Sequence, residues 1–395
     1  MTAPVAPGLR VVEMADVTPD AWDALAVRSP RGEALQSHAW GAFKAAAGWR
    51  IGRYRIEDAD GPAAVVSIQE RPVAGPVLRR LPGGLRRSST LERMSGRFLY
   101  APFGPVLLRE DASATAAALA GLERIARSRR AALLVADPAW ELGTPPADAL
   151  AAAGFTKARR EVQVSRTGML LPLHTDEAEQ RALINENTRR NVEKACKAGV
   201  EIVRLDRDSD PDALTDGLAI AYRMLVETGV RTGFTPRPEA YHSAASRTLI
   251  EAGAASLWFA RLEGRDIAHT LVHHSGSRAI LFQAGEGDIE QKRVPGNFLL
   301  QWTIIRWAAE AGFATYDLGG VDTHTAIGLP QDDSHPLWNL YRFKLQWGAR
   351  PVEFAGAHEL APFRMLAWGL RTAWAMGDRR RAGGAAGTAG SAGAA

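Results

Sequence analysis

The chain has 395 residues, of which 46% are hydrophobic and 23% are charged, and its formal net charge is +4. This length favours more than one domain, and the composition excludes a wholly disordered chain. No run of about 18 to 20 apolar residues predicts a membrane helix, and residues 1–10 lack the pattern of a secretory signal, so we expect a cytoplasmic protein.

The first half of the chain predicts a mixture of strands and one long helix. Residues 49–69 predict a β-hairpin, because two strand-like runs flank an acidic turn. Residues 98–108 are a further apolar segment, residues 112–130 have helical spacing, and residues 131–136 are a short apolar strand closed by Asp137-Pro138.

The second half shows a clearer order of elements. Helices are predicted at residues 188–198, 212–227, 237–252 and 297–310. Strands are predicted at residues 200–205, 256–262, 267–274, 278–284 and 314–318. Three antiparallel strands followed by a helix and a parallel strand indicate an α+β layer architecture, and this is the order of the core elements in N-acetyltransferases (the GNAT fold).

These patterns divide the chain into two domains and a tail. The first domain is predicted to cover residues 1–165 and to be completed by a return of residues 350–378. The second domain is predicted to cover residues 166–349. Residues 379–395 are rich in Gly and Ala and cannot bury enough apolar surface to fold, so they are predicted to be a disordered tail.

A basic stripe lies on the predicted helix 188–198, which Thr188 is expected to cap at its start and Gly199 at its end. Arg190, Lys194 and Lys197 are spaced four and three residues apart and therefore share one face. The stripe is either a solvated charged face or a surface for a polyanion, and the spacing alone leaves both alternatives open.

Several kinds of active site are disfavoured by the sequence. The one cysteine, Cys196, supports neither a disulfide nor a thiolate zinc site, and we expect it to be buried and inert. No Gly-x-Ser-x-Gly or His-Glu-x-x-His motif occurs, and the neighbours His273 and His274 point to opposite faces of a strand. We therefore expect no metal site and no bound cofactor.

The sequence matches only part of the loop with which acetyltransferases bind the phosphates of acyl-coenzyme A. Arg293 and Gly296 lie just before the helix 297–310, whose amino terminus is suited to a phosphate group. Phe298 occupies the place where acetyltransferases have a Gly or Ala. An acyl-coenzyme A-dependent acetyltransferase therefore remains an alternative.

The chain resembles the FemABX peptidyltransferases, the bacterial enzymes that build peptidoglycan cross-bridges from aminoacyl-tRNA. The resemblance extends over residues 36–359 and lies in the order and spacing of many short matches. In the first half these are Gln36-Ser37-His38-Ala39-Trp40, Lys44, Gly48-Trp49, Tyr100-Ala101-Pro102, Gly104-Pro105 and Asp137-Pro138. In the second half they are residues 188–199, which begin with Thr188-Arg189, then Arg237, Tyr241, Pro295, residues 297–302, Tyr316-Asp317-Leu318-Gly319-Gly320, Tyr341 and Phe343-Lys344.

The resemblance implies two tandem GNAT-like domains with a cleft between them, and an aminoacyltransferase that moves an amino acid from aminoacyl-tRNA to the peptide stem of a peptidoglycan precursor. It implies that Lys44, Arg237 and Tyr241 hold the diphosphate of this precursor. The stripe on helix 188–198 would then bind tRNA. Transient contact with the inner membrane surface is also expected, and no DNA partner is implied.

For the reaction itself, the resemblance places Phe343 and Lys344 where the acyl group is transferred, and Asp137 along the cleft. An aminoacyl ester is already activated, so the enzyme has to align an amine with it and stabilise an oxyanion. Lys344 is suited to this task, and the alternative is a surface lysine at the end of a strand. Arg237 and Tyr241 are predicted to lie one helical turn apart on a helix that is either a phosphate site or merely exposed.

Two departures from the family pattern stand out. Phe103 replaces the Arg that the family usually has in the Tyr-Ala-Pro-Arg-Gly-Pro stretch, and no coiled-coil arm interrupts the second half. A different kind of function also stays open, namely a non-catalytic module that binds tRNA or a membrane surface. Its support is the Arg-rich stretch 71–97 and the Trp-containing segment 364–381.

Overall fold

The computed structural model describes residues 8–29, 32–73, 96–159, 161–163, 165–287, 294–323 and 326–372. The helices in these ranges are α1 (Pro19–Ala26), α2 (His38–Ala46), α3 (Ala112–Ser128), α4 (Pro145–Ala152), α5 (Glu177–Leu183), α6 (Glu186–Lys197), α7 (Pro211–Thr232), α8 (Glu239–Glu251), α9 (Gly296–Glu310) and α10 (Trp338–Leu345). Residues 364–372 are also helical. The predicted tail 379–395 and most of the Arg-rich stretch 71–97 lie outside the described residues.

The strands belong to two separate sheets. They are β1 (Arg10–Glu13), β2 (Arg50–Asp58), β3 (Gly61–Pro72), β4 (Arg97–Phe103), β5 (Val106–Leu107), β6 (Ala131–Pro138), β7 (Thr156–Lys157), β8 (Thr167–Pro172), β9 (Glu201–Leu205), β10 (Ala255–Leu262), β11 (Arg265–Ser275), β12 (Arg278–Glu286), β13 (Thr315–Asp317), β14 (Arg350–Glu353) and β15 (His358–Leu360).

Both sheets use the same succession of strands. The first has the order β1-β2-β3-β4-β6-β15-β7, with β5 on β3, and the second has the order β14-β8-β13-β12-β11-β10-β9. In each sheet four consecutive strands pair antiparallel, and the fourth then pairs parallel with the next strand, β4 with β6 and β12 with β13. The predicted α+β architecture of two similar halves is confirmed.

The two halves exchange strands near residue 165 and near residue 355. The chain leaves the first sheet after β7 and enters the second as β8, which pairs with β13. It leaves the second sheet after β14, which pairs with β8, and returns to the first as β15. The predicted return of residues 350–378 to the first half is therefore wrong for β14, because that strand extends the second sheet.

Each half has its own core. In the first, the Ala-rich face of α3 packs on the sheet, and the helix begins at Asp111, whose carboxylate accepts from the backbone N–H of Ala114 at 2.7 Å. In the second, α6 and α9 cover one face of the sheet through a cluster that includes Val192, Leu300 and Ile304. Fully burying one such aliphatic side chain stabilises the fold by roughly 1.5–3 kcal/mol.

A third cluster joins the halves. Helix α2 and the turn before it contribute one side of this cluster, and α7, α8 and the second sheet contribute the other. Its buried members are Leu35, Ala39, Trp40, Phe43, Leu214, Leu218, Ala221, Ala245, Leu249, Ile250, Ala255, Leu257, Phe259 and Leu271. A buried ion pair between Arg278 and Glu33 adds a polar contact across the same junction. Helix α2 of the first half is thereby held beside α8 of the second.

Candidate active site

The junction of the halves brings together Lys44, Tyr241 and Arg237. Lys44 lies in the last turn of α2, and its Nζ is 3.5 Å from the hydroxyl oxygen of Tyr241. The guanidinium carbon of Arg237 lies 4.9 Å from the centre of the Tyr241 ring. Arg237 precedes α8 and is not part of it, since the helix begins at Glu239, so the predicted one-turn spacing within a helix is wrong although the two side chains do meet.

Aromatic rings surround the Lys44 ammonium. The rings of Trp40, Phe43, Trp49 and Tyr241 have their centres 5.4–5.9 Å from its Nζ, within the range of cation–π attraction. The family resemblance selects Lys44, but no sequence pattern assigns a role to Trp49, which follows α2 and folds back over it. These rings keep the ammonium in one place and remove part of its water.

The charges around Lys44 are positive. Burial, and after it the charges of Arg237 and Arg71, lower the pKa of Lys44 to about 8. Arg71 stacks on Trp49 with its guanidinium carbon 4.0 Å from the ring centre and donates to the carbonyl of Ala47. A site where three cations repel one another favours an anion, and a bound phosphate would raise the pKa of Lys44 again.

Lys344 is a buried lysine on a helix. It lies on α10 with 5% of its surface exposed, so the alternative of a surface lysine at a strand end is wrong. Its Nζ donates to the carbonyl oxygens of Gly319 at 3.0 Å and Gly320 at 2.8 Å. An ammonium has three donors, and these two carbonyls account for two of them. Burial lowers the pKa of Lys344 to about 8, and the charge of Asp317 opposes this shift.

The turn after β13 aims the two carbonyls at Lys344. Gly319 has a φ of 78°, in the left-handed region that favours glycine, and a Cβ added there would lie 3.1 Å from the carbonyl oxygen of Leu281. A Cβ on Gly320 would lie 1.7 Å from the Oγ of Ser165. Asp317 fixes the turn, because its Oδ1 accepts from the backbone N–H of Gly319 at 2.8 Å. Both glycines are thus required by the shape of this turn.

Phe343 belongs to an apolar wall next to Lys344. Its ring centre is 5.3 Å from that of Phe298 and 6.2 Å from that of Trp347, which is fully buried. Phe298 is therefore half-buried against the core of the second half, and its ring takes up space that a Gly or Ala would leave free. Arg293, the other residue of interest in that loop, lies outside the described residues.

The parallel pair of strands is shorter in the second half than in the first. β4 pairs with β6 along its whole length, from Arg97 to Phe103. β12 pairs with β13 only from Arg278 to Ile280 and then runs on to Glu286. Within the described part of the chain, the outer edge of β12 beyond Ile280 has no strand partner. β12 therefore continues past the end of its parallel partner.

Asp137 is buried and serves the loop after β4. With 4% of its surface exposed, its carboxylate accepts from the hydroxyl of Tyr100 at 2.7 Å and from the backbone N–H of Phe103 at 2.8 Å. Burial raises the pKa of Asp137 to about 7, although these two hydrogen bonds oppose the shift. Both oxygens are engaged, so the geometry does not support the expectation that Asp137 lines a cleft, and it holds Phe103 in place instead.

The loop that carries Phe103 has a second support which the sequence did not indicate. The side-chain amide of Gln36 donates to the carbonyl of Pro102 at 2.6 Å, and its oxygen accepts from the backbone N–H of Ser67 at 2.7 Å. Gln36 is fully buried. Phe103 itself has a φ of 49° and packs against the cluster that joins the halves. The residue that departs from the family pattern is therefore an apolar contact at the junction.

The basic stripe of α6 is exposed but partly neutralised. Arg190, Lys194 and Lys197 all lie at the surface, and Arg190 pairs with Glu186 one turn earlier. The predicted cap is wrong: Asn185 caps the helix by accepting from the backbone N–H of Thr188, which is itself buried. Gly199 follows the helix with a φ of 78°, as predicted. Lys194 and Lys197 are the members of the stripe best placed to meet a polyanion.

The remaining candidates do not form a site. Cys196 is exposed, so the expectation of a buried thiol is wrong. His273 stacks on Phe282, and His274 contacts Ser256 and Trp307. The described ranges contain neither a cluster of three or more His, Cys, Asp or Glu side chains suited to a metal nor a helix long and apolar enough to cross a membrane.

Comparison with known proteins shows what the chain is similar to in sequence and in fold. A model of the acetyltransferase (GNAT) domain matches residues 180–325, within the second half. The lipid II:glycine glycyltransferase of Staphylococcus aureus (strain MRSA252) is 23% identical over 422 aligned residues, which cover 87% of this chain and 92% of that relative. The crystal structure of FemX superposes with a TM-score of 0.71 at 20% identity and covers 91% of this chain and 99% of that one. In sequence and in fold the chain is thus similar to FemABX proteins.

The fold of FemX corresponds to both halves of this chain. A conserved protein of unknown function from Bacteroides thetaiotaomicron has the same general architecture, with a TM-score of 0.52 at 11% identity over 89% of this chain. The match to FemX over nearly the whole chain confirms the predicted tandem of GNAT-like domains. The GNAT model falls on the half that contains the open edge of β12.

Proposed function

We propose that this FemABX-like protein transfers an amino acid from aminoacyl-tRNA to the amine of the peptide stem of a peptidoglycan precursor, and so builds an interpeptide bridge. The precursor is lipid II or its soluble nucleotide form. The proposal rests on the similarity to a lipid II:glycine glycyltransferase, and the observation that carries it is Lys344, a buried amine held by two carbonyls beside an open strand edge. The reaction takes place in the cytoplasm or at the inner face of the membrane.

The chemistry requires little beyond alignment and charge. The stem amine attacks the carbonyl carbon of the aminoacyl ester, the bond to the ribose oxygen of the tRNA breaks, and the amine proton passes to that leaving oxygen. The tetrahedral intermediate carries an oxyanion, which a fixed donor in a water-poor site stabilises. The third N–H of Lys344 supplies this donor, and Phe343 with Phe298 and Trp347 keeps the surroundings dry.

The acceptor is bound through its diphosphate. Lys44 and Arg237 both lie against Tyr241, and a set of two cations and one hydroxyl is suited to the oxygens of a phosphate group. Lys44 and Tyr241 belong to different halves, so the acceptor lies across the junction. Asp137 takes part only by holding Phe103 in the wall of this junction.

The aminoacyl-tRNA enters from the second half. Its acceptor end lies along the edge of β12 that β13 leaves unpaired, and its phosphates meet Lys194 and Lys197 on α6. No further cofactor is needed, because the ester is the activated group. An acyl-coenzyme A donor is disfavoured, since Phe298 fills the core where such a donor needs an open phosphate loop.

The test is a donor and acceptor matrix with purified protein. Aminoacyl-tRNA and acetyl-coenzyme A are each combined with lipid II and with the soluble nucleotide precursor, and products are identified by mass spectrometry. We expect a mass increase of one amino acid on an acceptor with aminoacyl-tRNA and no acetylated product. Acetylation alone would establish the acyl-coenzyme A alternative, and binding of tRNA without any product would establish the non-catalytic one.

A further inference from the structure

The helix at residues 364–372 is apolar on both sides. Its inner face, formed by Leu366, Ala367 and Leu370, packs on the first sheet against a cluster that includes Tyr100 and Leu133. A second apolar face on a helix of this kind needs a separate explanation, because a soluble helix normally turns polar residues outward.

The outer face presents large apolar side chains. Met365 is 81% exposed and Trp368 is 67% exposed, one turn apart, and Phe363 beside them is 36% exposed. Single exposed apolar residues are ordinary, but a Met and a Trp together on one turn form a patch. Trp is also the residue that favours the boundary between lipid headgroups and acyl chains.

Positive charge borders this patch. A groove of about 830 Å³ runs beside the helix, and its lining includes Arg159, Arg364, Arg371 and Trp368. Arg371 is paired with Glu359, whereas Arg159 and Arg364 lie exposed at the groove. A concave surface with guanidinium groups next to an exposed indole suits a phosphate attached to an apolar chain.

The residues that follow this helix in the sequence are also apolar and basic. Trp374 and Met376 come next, and then three consecutive arginines at 379–381. These residues lie outside the described part of the structure, and the similarity is one of composition. Apolar and basic residues that occur together in this way are typical of segments that lie on anionic membranes.

We propose that the outer face of the 364–372 helix and its groove form a docking surface for an anionic lipid bilayer. Met365 and Trp368 enter the headgroup region, and Arg159 and Arg364 meet lipid phosphates. The bilayer is favoured over a nucleic acid because the most exposed side chains are apolar. The inference deepens the proposed function, on which it rests in one respect: a membrane-bound enzyme meets the lipid-linked precursor in the bilayer that holds it.

Vesicle binding tests the surface independently of the reaction. The full chain is sedimented with vesicles of phosphatidylglycerol or of phosphatidylcholine, and the double variant Met365→Ser with Trp368→Ser is compared with Leu142→Ser, whose leucine is 60% exposed elsewhere. We expect binding to phosphatidylglycerol only, and a loss of about tenfold or more in the double variant but not in the control. Equal binding by both variants would overturn the proposal.

Two further measurements separate the remaining outcomes. If the double variant weakens tRNA binding and leaves vesicle binding intact, the face is a nucleic-acid surface and the proposal fails. If vesicle binding falls as expected, transfer to lipid II in vesicles should fall with it, while transfer to the soluble nucleotide precursor should not. If the wild-type protein transfers no amino acid to either acceptor but the double variant still loses vesicle binding, the proposed function is wrong and the membrane-docking surface is supported.

Discussion

Lys44 and Tyr241 are 197 positions apart in the sequence, yet the Nζ of one lies 3.5 Å from the hydroxyl oxygen of the other. The pair exists only because α2 of the first half packs on α8 of the second. A group bound there touches both halves at once. The candidate acceptor site is therefore a property of the assembled chain and of neither half alone.

Replacing Lys344 with Met should reduce the rate of transfer and leave acceptor binding intact. The change keeps most of the length and apolar bulk of the side chain and removes the donor, so its effect should resemble the loss of one oxyanion-hole group, on the order of a hundredfold or more in kcat. Steady-state kinetics and direct binding of the acceptor measure the two effects.

Thermal unfolding provides the control for this variant. Removing a buried charge relieves its desolvation, so Lys344→Met should unfold at a temperature close to that of the wild type. A folded variant with normal kcat would show that the oxyanion is stabilised elsewhere.

The rate should fall as the pH rises through about 8, because Lys344 loses its proton there. Asp317 raises this pKa, so Asp317→Asn should shift the descending limb of kcat to lower pH while keeping the side-chain oxygen that accepts from Gly319. The pH profile of kcat with saturating acceptor measures the shift. A rate that rises through pH 8 would mean that the neutral amine of Lys344 acts as a base.

The stability of the fold has the opposite dependence on pH in this range. The pKa of Lys344 is depressed in the folded state, so the unfolded chain holds its proton more tightly. Stability should therefore increase between about pH 8 and the ordinary lysine pKa near 10.4 and should be lower below pH 8. The activity loss above pH 8 is thus not explained by unfolding of this kind.

Arg237→Ala should weaken acceptor binding before it affects kcat, since Arg237 contacts Tyr241 in the proposed diphosphate site. Because the variant lacks one charge-assisted hydrogen bond to the acceptor, we expect its KM for the acceptor to rise by about tenfold or more. Arg223→Ala, at an exposed position of α7, is the matched control and should behave as wild type. If Arg237→Ala and Lys344→Met change the same kinetic constant, the assignment of separate sites is incorrect.

The affinity for tRNA should depend on Lys194 and Lys197 more than on Arg190, which already pairs with Glu186. Replacing both lysines with Ala should weaken binding and lower the slope of log K against log salt by about one for each phosphate that the protein no longer neutralises. Arg190→Ala should have a smaller effect. Titration of tRNA at several salt concentrations gives both quantities, and an unchanged slope would mean that the lysines are merely solvated.

The elements with a clear local pattern could be predicted from the sequence. Strands β10, β11 and β12 and helices α3, α7 and α9 fall within a few residues of their expected bounds, because alternation and helical spacing are local. Helix α10 is not predicted by any such pattern, since it has neither a side-chain cap at Leu337 nor a clear apolar stripe. The burial of Lys344 could not be inferred without it.

Long-range pairing accounts for the other differences. β14 and β15 have four and three residues, and nothing local tells which sheet each joins. The meeting of Lys44 with Tyr241 rested on the family resemblance alone. The exposure of Cys196 depends on which face of α6 packs against the core. The closely spaced charges of that helix did not indicate this face.

The exchange of β8 and β15 between the sheets means that no single cut divides the protein into its two folding units. A fragment that ends at residue 165 would lack β15, which belongs to the first sheet. A fragment that begins there would contain β15 without β6 and β7, the strands with which it pairs. Backbone hydrogen bonds from Phe354 to Arg166 and from Ala355 to Trp140 tie the two crossings together. The two halves are thus interlocked by the backbone itself, and a split version of this enzyme would have to be cut in a surface loop within one half.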